Sequence, residues 1–228
     1  MTQPASATGL GLYTEAAERA SAEVIAAYST SFGWASKLLG KAERQPVRNI
    51  YALVRVADEI VDGAADEAHD NPAKLLDELE AETYRALESG FSTNLVVHAF
   101  AHTAREAGIK RDIIEPFFHS MRMDLTEREH NQKSFDTYVY GSAEVVGLMC
   151  LKVFMMGHDY SKEERVTLIA GARALGAAFQ KVNFLRDLSA DFKKLGRSYF
   201  PNVNVANFDA ATQTRLIDDI EADLEVSA

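Results

Sequence analysis

Cysteine is almost absent: Cys150 stands alone in 228 residues, which excludes an intramolecular disulfide and fits a reducing compartment. No run of about 18 uncharged apolar residues occurs, so no transmembrane helix is expected. The first residues, MTQPASATGLGLYTEAAERA, lack the basic-then-apolar layout of a signal peptide. Together these absences point to the cytoplasm. Basic charge is also scarce, with 24 Lys and Arg against 34 Asp and Glu and a net charge of −10, which argues against broad nucleic-acid binding. Repeats, low-complexity tracts, domain linkers and a glycine-rich dinucleotide fingerprint are all missing. What remains is ordinary: a hydrophobic fraction of 47% with 25% charged residues suits one well-buried domain covering 1–228.

Strand-like alternation is also nearly absent, and apolar residues recur instead at helical spacing. Helices are expected from Thr14 to Tyr28, resuming after Ser29-Thr-Ser31 through Leu39, and from near Glu43 to Asp62, with Pro46 in the first turn and Gly63 just past the end. Asn71-Pro72 reads as an N-cap with proline at the first helical position, opening a helix that Gly90 closes. Asn94–Ala107 and Arg111–Leu125 follow, Pro116 being a kink site in the latter. Ser134 reads as the cap of a long segment to Met156. Ser161-x-x-Glu164 reads as a capping box at the head of the next helix. The expected architecture is all-α, with antiparallel helices around a central cleft.

Two Asp-x-x-x-Asp pairs carry the chemistry: Asp58/Asp62 in VRVADEIVDG and Asp187/Asp191 in NFLRDLSADFKKLGRSYFP. Four residues is about one helical turn, roughly 6 Å of rise, so each pair projects two carboxylates from one face. Asn183 extends the second stripe. One such pair alone is usually a solvated helix face. Here, however, Ile50, Leu53, Val54, Ala57 and Val61 mark a core-facing stripe around the first pair, and small and apolar residues precede the second. Carboxylates emerging from buried helices need compensation by metal, arginine or hydrogen-bond donors. Hard oxygen donors in this pattern suit Mg²⁺ (or Mn²⁺) completed by substrate phosphate oxygens, so the implied ligand is a diphosphate.

The chain resembles the squalene/phytoene synthase family over roughly Ser29 to Pro201. STSFGWASKLL is similar to its N-terminal element, with Ser29, Ser31 and Phe32 in place. YALVRVADEIVD is similar to the first aspartate motif, carrying Tyr51, Arg55, Asp58 and Asp62. MRMDL at 121–125 and YVYGSAEVVGLM at 138–149 resemble the middle segments. QKVNFLRDLSADFKKLGRSYFP is similar to the second aspartate motif, with Gln180, Asn183, Arg186, Asp187, Asp191, Gly196, Arg197 and Tyr199.

That resemblance implies head-to-head joining of two prenyl diphosphates. Asp58, Asp62, Asn183, Asp187 and Asp191 would hold Mg²⁺; Tyr51, Arg55, Arg186, Arg197 and Tyr199 would serve catalysis; Ser29, Ser31, Phe32, Tyr138 and Gln180 would bind substrate. The expected reaction converts two geranylgeranyl diphosphates to phytoene through a cyclopropylcarbinyl diphosphate. The alternatives are squalene or dehydrosqualene formation from farnesyl diphosphate and, in a different class, a non-catalytic scaffold or lipid-binding relative. NADPH is not expected. The chain is expected to act as a monomer, with prenyl diphosphates as its partners and peripheral membrane contact as the route for product release.

Other residues read as structure. Trp34, Tyr140 and Phe184 fit packing, His98/His102 has zinc-like spacing but no third ligand, and Cys150 fits a small buried hydrophobe. Asp124 fits either an arginine partner near the site or a plain helix-face pair. The chain departs from the family pattern at Ser142-Ala143-Glu144, where Val-Ala-Gly is common, and at Ser120, where glycine is common. Both departures bear on chain-length selection rather than on the metal ligands. Only 27 residues follow Pro201, with Leu216, Ile220 and Leu224 on an apolar stripe, whereas the resemblance implies further C-terminal helices.

Overall fold

Side-chain caps fix many of the helix boundaries. Asn71 accepts from the Lys74 N–H at the head of a helix over Pro72–Ser89, and Gly90 ends it in the left-handed region at φ 78. Asn94 accepts from Val96 and Val97 at the head of Leu95–Ala107. Ser161 and Glu164 exchange reciprocal bonds, Glu164 N–H to Ser161 Oγ at 3.1 Å and Ser161 N–H to Glu164 Oε2 at 2.7 Å, satisfying two donors that a helix start otherwise leaves open.

The computed structural model describes residues 9–29, 36–195 and 199–228, excepting the side chains of 189–195 and of Ala206. Its helices are α1 Leu10–Tyr28, α2 Lys41–Val61, α3 Ala64–Glu67, α4 Pro72–Ser89, α5 Leu95–Ala107, α6 Arg111–Thr126, α7 Gln132–Val139, a π-helical turn Tyr140–Glu144, α8 Val145–Phe154, α9 Lys162–Leu195, a 3-10 turn Val205–Asn207 and α10 Ala210–Ser227. The all-α expectation holds. Among the described residues no helix is long and apolar enough to cross a membrane.

Several boundaries differ from the sequence reading. The first helix begins at Leu10 rather than Thr14. Pro46 lies inside α2, beyond its first turn, where it removes one backbone hydrogen bond. Asn131 rather than Ser134 is the N-cap of α7; Ser134 is the third helical residue and completes the capping box. The segment from there to Met156 is not one α-helix, because the π-helical turn over Tyr140–Glu144 interrupts it. No periodicity rule marks a single π turn; within it Gly141 is closely packed, and a Cβ there would overlap the Pro116 carbonyl oxygen and Ser120 Oγ.

Two compact units emerge, residues 1–110 with 152–156, and residues 111–151 with 157–228. In the first, α1, α2 and α5 pack on one another and α4 packs on α5. Ile50, Leu53, Ala57 and Val61 are buried as their stripe predicts, with Val54 half-buried. His98 on α5 is buried as well: Ser92 N–H donates to its Nδ1 at 3.4 Å and its Nε2 meets Thr14 Oγ1 at 3.0 Å. Because Thr14 already donates to the Leu10 carbonyl, the ring is neutral with its proton on Nε2.

In the second unit the long helix α9 runs beside α10 and the π turn. Its core is aromatic, with Phe135, Tyr138, Phe184, Tyr199 and Phe200 buried together. Lys181 crosses from α9 to Asp219 and Asp223 of α10 at 2.6 and 2.8 Å. Burial acts to lower its pKa, but the bonds to the two carboxylates outweigh it and hold the amine above its usual range. Of the apolar stripe on α10, Leu216 and Ile220 are buried and Leu224 is exposed.

Candidate functional site

Helical periodicity places Tyr51, Arg55, Asp58 and Asp62 along one stripe of the first unit, because steps of four, three and four residues keep returning to the same face. Tyr51, Arg55 and Asp58 are half-buried on α2. Asp62 is not helical: it is the exposed C-cap of α2, its N–H bonded to the Asp58 carbonyl at 2.8 Å. The last turn of α2 carries no basic residue, so this carboxylate sits at the negative end of the helix dipole, where a cation is favoured over an anion. Arg55 pairs with Glu59, and its guanidinium lies 4.7 Å from the Tyr28 ring centroid. That stack ties the end of α1, where Ser29 is the extended C-cap, to the turn of α2 preceding Asp58.

In the second unit, Gln180, Asn183 and Asp187 share one face of α9 at spacings of three and four residues. Gln180 and Asp187 are half-buried and Asn183 is exposed. Arg186 Nε and Nη2 grip Asp187 Oδ1 and Oδ2 at 2.8 and 2.6 Å. This two-pronged bond holds the Asp187 carboxyl below the usual carboxylate range despite partial burial, keeping it ionised at neutral pH. Asp191 continues the helix, its side chain outside the described set. Ser31, Phe32, Trp34, Gly196 and Arg197 also lie outside the described residues.

Tyr138 and Tyr199, for which the resemblance implied substrate-binding and catalytic roles, are buried at 3% and 9% exposure. Both phenols are engaged by Asp124, Tyr138 at 2.7 Å and Tyr199 at 3.2 Å. Burial, and then the Asp124 charge, raise the Tyr138 pKa well above its normal range. Phe184 stacks on Tyr199 at 4.2 Å with planes 7° apart, and His130 also stacks on Tyr199 at 5.8 Å and lies tilted against Tyr138 at 5.2 Å. These residues form one buried, hydrogen-bonded aromatic cluster. They fix the chain just after the segment that carries Arg197 against α6, α7 and α9. Of the two readings of Asp124, neither foresaw a pair of tyrosines; its burial among aromatics could be read only from the fold.

The sequence reading noted Glu144 only as a departure from the family pattern and did not name Arg173. Arg173 Nε donates to Glu144 Oε2 at 2.6 Å, and its guanidinium stands 5.2 Å from the Tyr140 ring centroid. The signal available was the glutamate of Ser142-Ala143-Glu144.

Among the described residues no three carboxylate, imidazole or thiol groups gather into a metal cage. The donors are instead carboxylates one turn apart on a helix, with Asn183 beside them. Such a set fits Mg²⁺, which binds through one or two carboxylates and takes the rest of its shell from water and phosphate oxygens. The ionised Asp187 and the Asp62 carboxylate at a helix C-terminus are both better accommodated with a cation nearby.

Comparison with known proteins supplies a family. A sequence model described as Squalene/phytoene synthase matches residues 25–225. The chain is 32% identical over 200 residues to phytoene synthase 2, chloroplastic, of Solanum lycopersicum, covering 86% of this chain and 62% of that protein. It is 32% identical over 192 residues to the 15-cis-phytoene synthase of Paracoccus sp., covering 79% and 59% respectively. The chain thus spans about three fifths of the length of these relatives. Among solved structures, a dehydrosqualene synthase in complex with ligand superposes with a TM-score of 0.77 at 23% identity, covering 94% of this chain and 76% of that one. Squalene synthase HpnC from Alicyclobacillus acidocaldarius also gives 0.77, at 18% identity, covering 94% and 82%. These two establish the likeness of fold.

Proposed function

Since the chain belongs to the squalene/phytoene synthase family, we propose that it condenses two prenyl diphosphates head to head, taking geranylgeranyl diphosphate to phytoene. The observation that carries this reading is the face of α9 on which Gln180, Asn183 and an Arg186-gripped, ionised Asp187 line up, matched by the Tyr51–Arg55–Asp58–Asp62 stripe of α2.

Breaking the allylic C–O bond of a prenyl diphosphate leaves a carbocation and an anionic leaving group, so the site must stabilise negative charge at the diphosphate and keep water from the cation. Bound Mg²⁺ would supply Lewis-acid stabilisation of the leaving diphosphate; on this reading Asp58, Asp62, Asn183, Asp187 and Asp191 are the residues that would hold it. Arg55, Arg186 and Arg197 add hydrogen bonds to diphosphate oxygens, with Arg186 exchanging part of its Asp187 contact for the ligand. Ser29 and Ser31 donate from the chain after α1, while Tyr51, Phe32 and Gln180 orient the substrate. The alkene of a second molecule captures the cation and a proton passes to the released diphosphate, giving a cyclopropylcarbinyl diphosphate; this loses its own diphosphate, rearranges and gives up a second proton to form phytoene. Tyr138 and Tyr199 act indirectly, by fixing the segments around Arg197.

The dehydrosqualene and squalene synthase neighbours favour a second reading, the same chemistry on farnesyl diphosphate. A scaffold or lipid-binding role is the alternative of another class. Calorimetric titration with a geranylgeranyl thiodiphosphate, which resists ionisation, separates the classes. Binding that requires Mg²⁺ and weakens at least tenfold in Asp187→Asn supports the enzyme, whereas equal binding without metal or diphosphate supports the scaffold.

A further inference from the structure

Three helices of the first unit start at the same end. The Glu18 carbonyl of α1 accepts from Gln45 of α2 at 2.8 Å, and ten residues further on in each helix Tyr28 meets Arg55, so α1 and α2 run parallel. Thr14 meets His98 and, four residues on in each, Glu18 lies beside His102, so α5 runs the same way. Because α2 has 21 residues, about 30 Å at 1.5 Å per residue, Asp58 and Asp62 stand at the opposite end.

Apolar side chains gather in the open where the three helices start. Leu10 and Leu12 in the first turn of α1, Leu95 at the head of α5 and Phe91 just before it are all exposed, with Phe91 against Tyr13 at 5.0 Å. Leu38, in the turn leading into α2, is 90% exposed. Single exposed leucines are ordinary on a protein surface. Five apolar side chains at one end of a bundle, one of them nearly bare, call for a partner. The Leu38 turn is also clamped: Arg44 Nη2 donates to the Lys37 and Leu39 carbonyls at 2.8 and 2.9 Å, and Ser36 at its base is buried. A side chain presented in this way loses little freedom on contact.

Charge selects the partner. From Lys37 to Arg48 four basic residues stand against Glu43 alone, a local charge of +3 in a chain of net −10. Lys37 and Lys41 flank Leu38 and are exposed. Glu43 turns its carboxylate back onto Gly40 at the head of α2, and the first turns of α1 and α5 carry no acidic residue. Apolar side chains beside lysines fit the interface of an anionic bilayer, where leucine enters the acyl boundary and the amines meet headgroup phosphates. A purely acidic ligand would satisfy the amines and leave the leucines in water.

We propose that this end of the first unit, with Leu38 at its tip and Lys37 and Lys41 beside it, is a docking surface for anionic lipid bilayers. Docked so, the protein keeps the acidic end of α2 well beyond the Debye length of about 8 Å from the headgroups, open to a water-borne ligand. The inference goes beyond the prenyl diphosphate reading and does not depend on it, since Leu38, Lys37 and Lys41 are assigned neither to substrate nor to metal.

Vesicle flotation tests it with no substrate or Mg²⁺ present, so that failure here leaves the prenyl diphosphate reading standing. Vesicles of phosphatidylcholine are compared with an equal mixture of phosphatidylcholine and phosphatidylglycerol, using the wild-type chain and variants checked for native helicity and cooperative melting. The wild type should bind the anionic vesicles at least tenfold more tightly than the neutral ones, and high salt should weaken that binding. Leu38→Asp and the double variant Lys37→Glu/Lys41→Glu should each weaken it at least tenfold, since each basic residue near an anionic surface contributes roughly fivefold. Val166→Asp, at an exposed valine of α9 in the second unit, should bind as the wild type does. A wild type that ignores the vesicles or binds both kinds alike would overturn the proposal, as would unchanged binding by the Leu38 and lysine variants or an equal loss in Val166→Asp. Self-association of the wild type without lipid, abolished by Leu38→Asp, would also overturn it by giving the surface to a second copy of this chain.

Discussion

Tyr199 donates its hydroxyl to Asp124 Oδ1 at 3.2 Å across 75 positions of sequence, tying the chain after the second aspartate motif to helix α6. Tyr138 donates to the other carboxylate oxygen of the same residue. Asp124 is 5% exposed, so an apolar replacement leaves two buried phenols without their acceptor. Asp124→Leu should lower stability by about 2–4 kcal/mol, from the cost of unsatisfied buried polar groups. Asp124→Asn, which still accepts, should lose about half as much. Urea denaturation midpoints measure both, and equal losses in the two variants would contradict the two-tyrosine anchor.

Close approach at Gly176 makes a second prediction. The added methyl of Gly176→Ala meets the Ala143 carbonyl and the Glu144 Cα, backbone that moves only with its whole helix. The helix-propensity gain of alanine, about 1 kcal/mol, should be outweighed by overpacking of about 1–3 kcal/mol. Gly171→Ala, where the nearest atoms lie at 3.7 Å or beyond, should instead be neutral or stabilising. Thermal melting of the two variants side by side reads the difference.

The Cys150 thiol is withdrawn from solvent although the residue as a whole is half-buried. Burial pushes it from an ordinary 9.0 up to about 12. Its pKa is therefore higher folded than unfolded: its contribution is fully present below the unfolded value and is lost as pH rises from about 9 toward 12. Native protein at pH 8 should react with a thiol reagent only as fast as it opens, and unfolded protein immediately. Cys150→Ala should flatten the decline in stability above pH 9.

His98 works in the opposite direction. Burial lowers its pKa, with His102 adding to the effect, and a second proton on Nδ1 would face the Ser92 N–H that now donates to it. A depressed folded pKa means stability is present above the unfolded value, near 6.5, and is lost as pH falls through the folded one. Denaturation midpoints should therefore fall as pH drops below about 6.5. His98→Gln, which keeps an acceptor and a donor without titrating, should remove that part of the slope.

Much of the fold was legible because its signals are local. Asn71-Pro72, Asn94, Gly90 and the Ser161/Glu164 box act within a turn of the helix ends they define. The core stripe of α2 is a matter of periodicity alone. The π turn was not legible, since no periodicity marks it, and the close approach at Gly141 comes from Pro116 and Ser120, residues more than 20 positions away that only packing brings near. The same holds for the candidate site. Spacing placed Tyr51, Arg55, Asp58 and Asp62 on one stripe and Gln180, Asn183 and Asp187 on another. It gave no means of telling that Tyr138 and Tyr199 turn inward to Asp124, because a tyrosine in a motif reads alike whether its hydroxyl meets a ligand or a buried carboxylate. Pairings such as Arg173 with Glu144, 29 positions apart, depend on which helices lie side by side.

The most direct test of the central claim is product analysis. The purified chain is incubated with geranylgeranyl diphosphate and Mg²⁺, and the organic extract is resolved against authentic phytoene, in parallel with Asp58→Asn and Asp187→Asn variants confirmed to be folded. The account predicts phytoene from the wild type, inorganic diphosphate released in proportion, and at least a hundredfold loss in each variant. Product from farnesyl diphosphate alone would move the assignment to the squalene branch. Turnover of neither substrate by a chain that is folded and supplied with metal would contradict it.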